Sequence, residues 1–109
     1  MIVLKKVGFI LFAVLVSGHV SANTIFQKIK QVNYNGDANY AYFVGDARWG
    51  DPACANATYV SIGPNLSGRK EILSIGLAAY MAGKKVQFWG QCAQDKDYFE
   101  AMYIVVINE

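Results

Sequence analysis

Along "KKVQFWGQC", residues 84–92, Val86, Phe88, Gly90 and Cys92 fall on one face, and Lys85, Gln87, Trp89 and Gln91 on the other. This is the two-residue period of a half-buried β-strand. The second face is polar except for one indole, which raises the question of what Trp89 touches. "TIFQKIKQVNYNGDANYAYFVGD" reads as a hairpin, with strands over Ile25–Tyr34 and Asn39–Gly45 around Asn35-Gly36, a dipeptide favoured in type I′ turns. The spacing of Ile25, Phe26, Ile29 and Val32 would also suit a short helix. "DARWGDPACANA" is a long irregular crossing, "TYVSI" a short third strand, and Gly63-Pro64 its stop.

Ile72, Leu73, Gly76, Leu77 and Tyr80 then recur at helical spacing, predicting a helix over Gly68–Ala82. Ser67 stands as the N-cap, Glu71 in the first turns and Gly83 at C′. Ser74, Gly76, Ala78, Ala79 and Ala82 would let another backbone come close. After the strand at 84–92 and the polar loop "AQDKDYFE", "AMYIVVIN" is a last strand whose apolar run Ile104–Ile107 implies that both faces are covered at least in part. Three strands, a helix and two strands predict a mainly β (α+β) fold: a five-stranded OB-fold-like barrel with one α-helix between strands 3 and 4. A plain α+β sheet packed on one helix is the alternative.

The chain opens with Lys5-Lys6, an apolar run Val7–Val16 and Val20-Ser21-Ala22, the layout of a secretory signal peptide over residues 1–22. The apolar run is short for a permanent membrane span. Cleavage after Ala22 leaves a single domain, 23–109, of 87 residues (109 minus 22), secreted or periplasmic. The leader also carries away Lys5, Lys6 and His19, so eight basic residues face eight acidic ones and the mature charge is zero. A neutral domain has no electrostatic footprint for nucleic acid, and Arg69-Lys70 and Lys84-Lys85 read as solvated helix ends. Cys54 and Cys92 are expected to pair in an oxidising compartment.

Without a histidine after cleavage, histidine triads, bases and zinc sites are unavailable. No metal or cofactor motif is present: "DKD" at 95–97 lacks the glycine and distal glutamate of an EF-hand. Asp37, Asp46, Asp51, Asp95, Asp97 and Glu100 could supply a carboxylate pair for glycoside chemistry, though loop aspartates ordinarily form turns. Asn56-Ala57-Thr58 and Asn65-Leu66-Ser67 match the glycosylation sequon. The remaining signal is a surplus of aromatic residues, two Trp and seven Tyr, all in the mature chain. Aromatic faces flanked by amides suit sugar rings, which points to Trp89 between Gln87 and Gln91, with Trp49 beside Arg48 as a second ligand-binding candidate. Packing within the chain or contact with another subunit are the competing readings of Trp89.

Two stretches, "YAYFVGDARWGDPACA" and "EILSIGLAAYMAGKKVQFW", resemble the B subunits of bacterial AB5 toxins of the subtilase-cytotoxin and typhoid-toxin type. The resemblance implies a glycan-binding B subunit that forms a homo-oligomeric ring, and together with Trp89 and the aromatic surplus it leads to the expectation of a non-catalytic exported binding domain. The sugar-contacting N-terminal segment of that family has no counterpart before Ile25. A periplasmic interaction or inhibitor domain that recognises an envelope or cell-surface protein is the alternative function.

Overall fold

The computed structural model describes residues 22–50, 54–93 and 97–108. The expected leader therefore lies outside the described residues up to position 21, as do Asp51, Asp95 and Lys96. Six strands and one helix follow in the order β1 (Ala22–Asn23), β2 (Gln27–Asn35), β3 (Tyr40–Gly45), β4 (Tyr59–Ile62), α1 (Arg69–Ala82), β5 (Lys85–Cys92) and β6 (Tyr98–Ile107). The fold is thus mainly β with one helix. Five strands close a hydrogen-bonded circuit: β5 pairs with β2, β2 with β3, β3 with β4, β4 with β6, and β6 with β5. All these pairs are antiparallel except β4–β6, which is parallel. The two-residue β1 adds to β5 outside the circuit, with Ala22 opposite Gly90 and Asn23 opposite Trp89.

The inward positions of these strands make the core. Phe43 and Phe88 stack with centroids 5.5 Å apart, and Val60, Ile62, Val86 and Phe99 close around them. Two irregularities let the strands bend. In β2 the register shifts between Ile29 and Gln31, so Lys30 is an extra residue and both Ile29 and Val32 face inward. This bulge explains the three-residue spacing that would also suit a helix: strand pairing with β3 and β5 decides the matter. Ile25 and Phe26, expected to begin the strand, lie before it and are exposed. In β6 the register shifts opposite Trp89 and Gly90, leaving Met102 as the extra residue. A Cβ on Gly90 would overlap the carbonyl oxygen of Glu100, so glycine permits the close approach of the two strands there.

The hairpin turn differs from the expected type I′. Four residues, 36–39, connect Asn35 to Tyr40, and Asn39, not Gly36, takes a positive φ of 59°. The Asn35 side chain accepts hydrogen bonds from the backbone N–H of Asp37 and Ala38, and its carbonyl accepts from Asn39 N–H. Asparagine thus builds the longer turn itself.

The helix starts one residue later than expected. Gly68 occupies the N-cap and no side chain caps the first turn, so Ser67 does not serve as the cap. Gly83 ends it in the left-handed conformation, with Lys84 N–H reaching the Ala79 carbonyl. Ile72, Gly76 and Ala79 form the buried stripe, whereas Leu77 and Tyr80, expected on it, are exposed. A tighter stripe suffices because Gly76 admits the Phe43 ring: a Cβ there would strike its Cζ edge. The close neighbour of the small residues is therefore an aromatic side chain.

Cys54 and Cys92 form a disulfide with Cα atoms 5.4 Å apart, tying the loop before β4 to the end of β5. Arg69 is not a solvated helix end. Its guanidinium donates to the Asn39 carbonyl at 2.6 Å and to the Tyr34 hydroxyl, and it lies over the Tyr34 ring, pinning the hairpin turn to α1. Lys84 donates to Asn108 Oδ1 at 2.6 Å. No helix among the described residues is long and apolar enough to cross a membrane.

Candidate functional site

Outward positions of β3, β4, β6 and β5 form a surface unlike an ordinary solvated sheet face, which would carry mostly charged and polar residues. On β5 the expected alternation holds. Val86, Phe88 and Gly90 are buried, while Trp89 is 41% exposed and Gln91 is exposed beside it. The Trp89 indole is fixed. Its Nε1–H donates to Gln87 Oε1 at 2.8 Å, and Gln87 in turn donates through Nε2 to the Thr24 carbonyl at 3.0 Å. Trp89 is paired across strands with Tyr103, whose ring centroid is 5.6 Å away, and the two rings are tilted by 45°. With Gly90 and the bulged Met102 they line an apolar depression of about 180 Å³.

Met102 also lines a larger, more polar groove of about 240 Å³, together with Tyr40, Ser61, Asn65, Gln91 and Glu100. Gln91 and Glu100 face each other in the β5–β6 register, and Gln91 Nε2 donates to Glu100 Oε1 at 3.1 Å. Ser61 sits opposite Glu100 on β4, small and buried at the groove floor.

Beyond this groove lies a row of four tyrosines. Tyr40 and Tyr42 stack along β3 at 6.1 Å, Tyr42 meets Tyr59 of β4 edge-on at 5.0 Å, and Tyr59 stacks on Tyr98 of β6 at 5.5 Å with planes 4° apart. Each is half-buried. The row was hidden from pattern reading because its members come from three separate segments. "YAYFV" does show Tyr40 and Tyr42 on the face opposite Ala41 and Phe43, but the register that adds Tyr59 and Tyr98 is a property of the paired sheet.

Trp49 does not belong to this surface. It is fully buried, lies edge-on to Phe88 at 5.4 Å, and its Nε1–H donates to the Phe43 carbonyl at 3.2 Å. The irregular loop folds back over the core: Ile25 N–H reaches the Trp49 carbonyl, and Trp49 N–H reaches that of Ala57. An indole with its donor satisfied is a large apolar body that the core can accept. Arg48 stays exposed, donates to Asn56 Oδ1 at 3.1 Å, and lines a different depression with Val44, Asp46 and Thr58. Of the five sequence candidates, the structure brings Trp89, Gln87 and Gln91 to one face, buries Trp49 in the core, and places Arg48 at a separate depression. Tyr103, Met102, Glu100 and the tyrosine row are additions.

No protein-family model, curated protein or solved structure matches this chain.

Proposed function

We propose that the chain is an exported, non-catalytic binding domain of the oligonucleotide/oligosaccharide-binding kind, and that its ligand is a glycan. The strand circuit supports the fold reading. Counting from β2, the first strand pairs with the second and fourth, the third lies parallel to the fifth, and the helix falls between the third and fourth. That order is in keeping with a small OB-type barrel. The disulfide supports an oxidising compartment outside the cytosol, reached through a leader over residues 1–22.

The single observation that carries the glycan reading is the Trp89 indole, held at the surface by Gln87 and Tyr103 and bordered by the Gln91–Glu100 polar pair. A pre-ordered aromatic plane beside hydrogen-bonding groups meets both halves of a sugar ring, its C–H face and its hydroxyls, with little side-chain entropy left to lose on binding. B-subunit-like behaviour, including assembly into a homo-oligomeric ring, belongs to the same proposal.

The test is a glycan array probed with the cleaved protein beside Trp89→Ala. The wild type binds defined glycans and the variant loses them while its thermal unfolding is unchanged. Background signal from the wild type on every glycan ends the proposal.

A second reading, a domain that docks on an envelope protein, is favoured by the outer face of α1. Ile75, Leu77 and Met81 are exposed there, and no charge occurs between Ser74 and Gly83. A stoichiometric partner recovered from an envelope extract, and lost on Met81→Lys, would favour it.

A further inference from the structure

We infer that the ligand is an extended, uncharged oligosaccharide lying across the outer sheet face, held at one end by Trp89–Tyr103 and at the other by the tyrosine row. This inference rests on the glycan reading above and deepens it.

The first argument is spatial. The Trp89–Tyr103 depression of about 180 Å³ and the groove of about 240 Å³ that Tyr40 lines are separate hollows that meet at Met102, so the aromatic platforms flank one continuous surface with more than one place for a ring. Between them runs the groove that carries Gln91 and Glu100 among apolar residues such as Pro64 and Leu66, joined to the Trp89 depression through Met102 and to the tyrosine row through Tyr40. A chain of several rings would stack at its ends and place its hydroxyls over the groove. A single terminal sugar would leave one platform bare.

The second argument is electrostatic. Among the described residues that line the groove, Glu100 is the one charged side chain and none is a cation. An ionised carboxylate accepts hydrogen bonds through both oxygens, so with Gln91 on Oε1 it keeps acceptor capacity for sugar hydroxyls. The same carboxylate repels a sugar carboxylate or sulfate, and no described lining residue offers it a guanidinium or ammonium. Neutral chains are therefore selected over sialylated, uronic or sulfated ones.

The experiment uses the full mature protein and neutral cello-, xylo-, manno- and chito-oligosaccharide series from one to six rings, with sialylated and sulfated glycans in parallel. Affinity is read by calorimetry, and cover of Trp89 by protection from acrylamide quenching, since Trp49 is buried. Affinity for one neutral series should rise with ring number and level off once both platforms are bridged. Tyr40→Ala and Tyr59→Ala should each weaken the longest member roughly tenfold. Both should leave the shortest bound member, which protects Trp89, unchanged. Glu100→Gln should relax discrimination against acidic sugars.

Either a monosaccharide that competes as well as the hexamer, or a preference for acidic glycans, overturns the inference and leaves the glycan reading standing. So does undiminished hexamer binding by folded tyrosine variants. Absence of binding to every neutral and acidic sugar overturns both. Should Tyr59→Ala fail to fold, Tyr40→Ala and the length series decide alone.

Discussion

Replacing both cysteines, Cys54→Ala with Cys92→Ala, tests how this small domain holds its loop before β4 against the end of β5. The disulfide spans 38 residues of sequence. Closing such a loop removes about 13 cal/mol/K of entropy from the unfolded chain, or about 4 kcal/mol at 25 °C in the chain-entropy description. Domains of this size have a total stability of about 5–15 kcal/mol, so the loss is a large share of the whole. At roughly 4–8 °C per kcal/mol, it corresponds to a fall in Tm of roughly 15–30 °C. Backbone hydrogen bonds also hold the segments around the bridge: Thr58 N–H reaches the Asp97 carbonyl, Ala93 N–H that of Tyr98, and Ala57 N–H that of Cys54. The variant should therefore keep the native circular dichroism spectrum and unfold at lower urea concentration. Measured by urea titration of oxidised wild type and variant, a loss below about 1 kcal/mol would refute the argument. So would a variant that no longer forms the native sheet at low temperature, since the bridge would then shape the folded state.

Trp49→Ala empties the centre of the core and should cost about 3–5 kcal/mol in denaturant unfolding; a loss under 1 kcal/mol would mean that the indole is not packed against Phe88. Gly90→Ala places a methyl group on the Glu100 carbonyl, and the β5–β6 bulge should yield at a cost of about 3 kcal/mol, the upper end for overpacking. Unchanged stability would contradict the close approach. Trp89→Ala, by contrast, removes an exposed ring and should change stability by less than about 1 kcal/mol while abolishing glycan binding; loss of stability together with binding would return Trp89 to a packing role.

What the amino-acid order determined by itself is local and periodic. The two-residue alternation from Lys85 to Cys92 defines which face of β5 is buried, because successive side chains on a strand must point to opposite sides. Gly83 ends α1 because the left-handed turn there suits a residue without a side chain. With two cysteines in the chain, their pairing also needed no coordinates. Tertiary structure decided everything that depends on register and crossing. Ile29 and Val32 share a face only because Lys30 is a bulge, which is defined by the partner strands. Trp49 is inside and Trp89 outside although both stand beside polar neighbours, because one lies on a loop folded over Phe88 and the other on an outward strand position. The four tyrosines become one row only when β3, β4 and β6 align, since contact between residues far apart in sequence is set by strand pairing. Periodicity along a chain reports how a segment turns about its own axis, and carries no information about which neighbour it will meet.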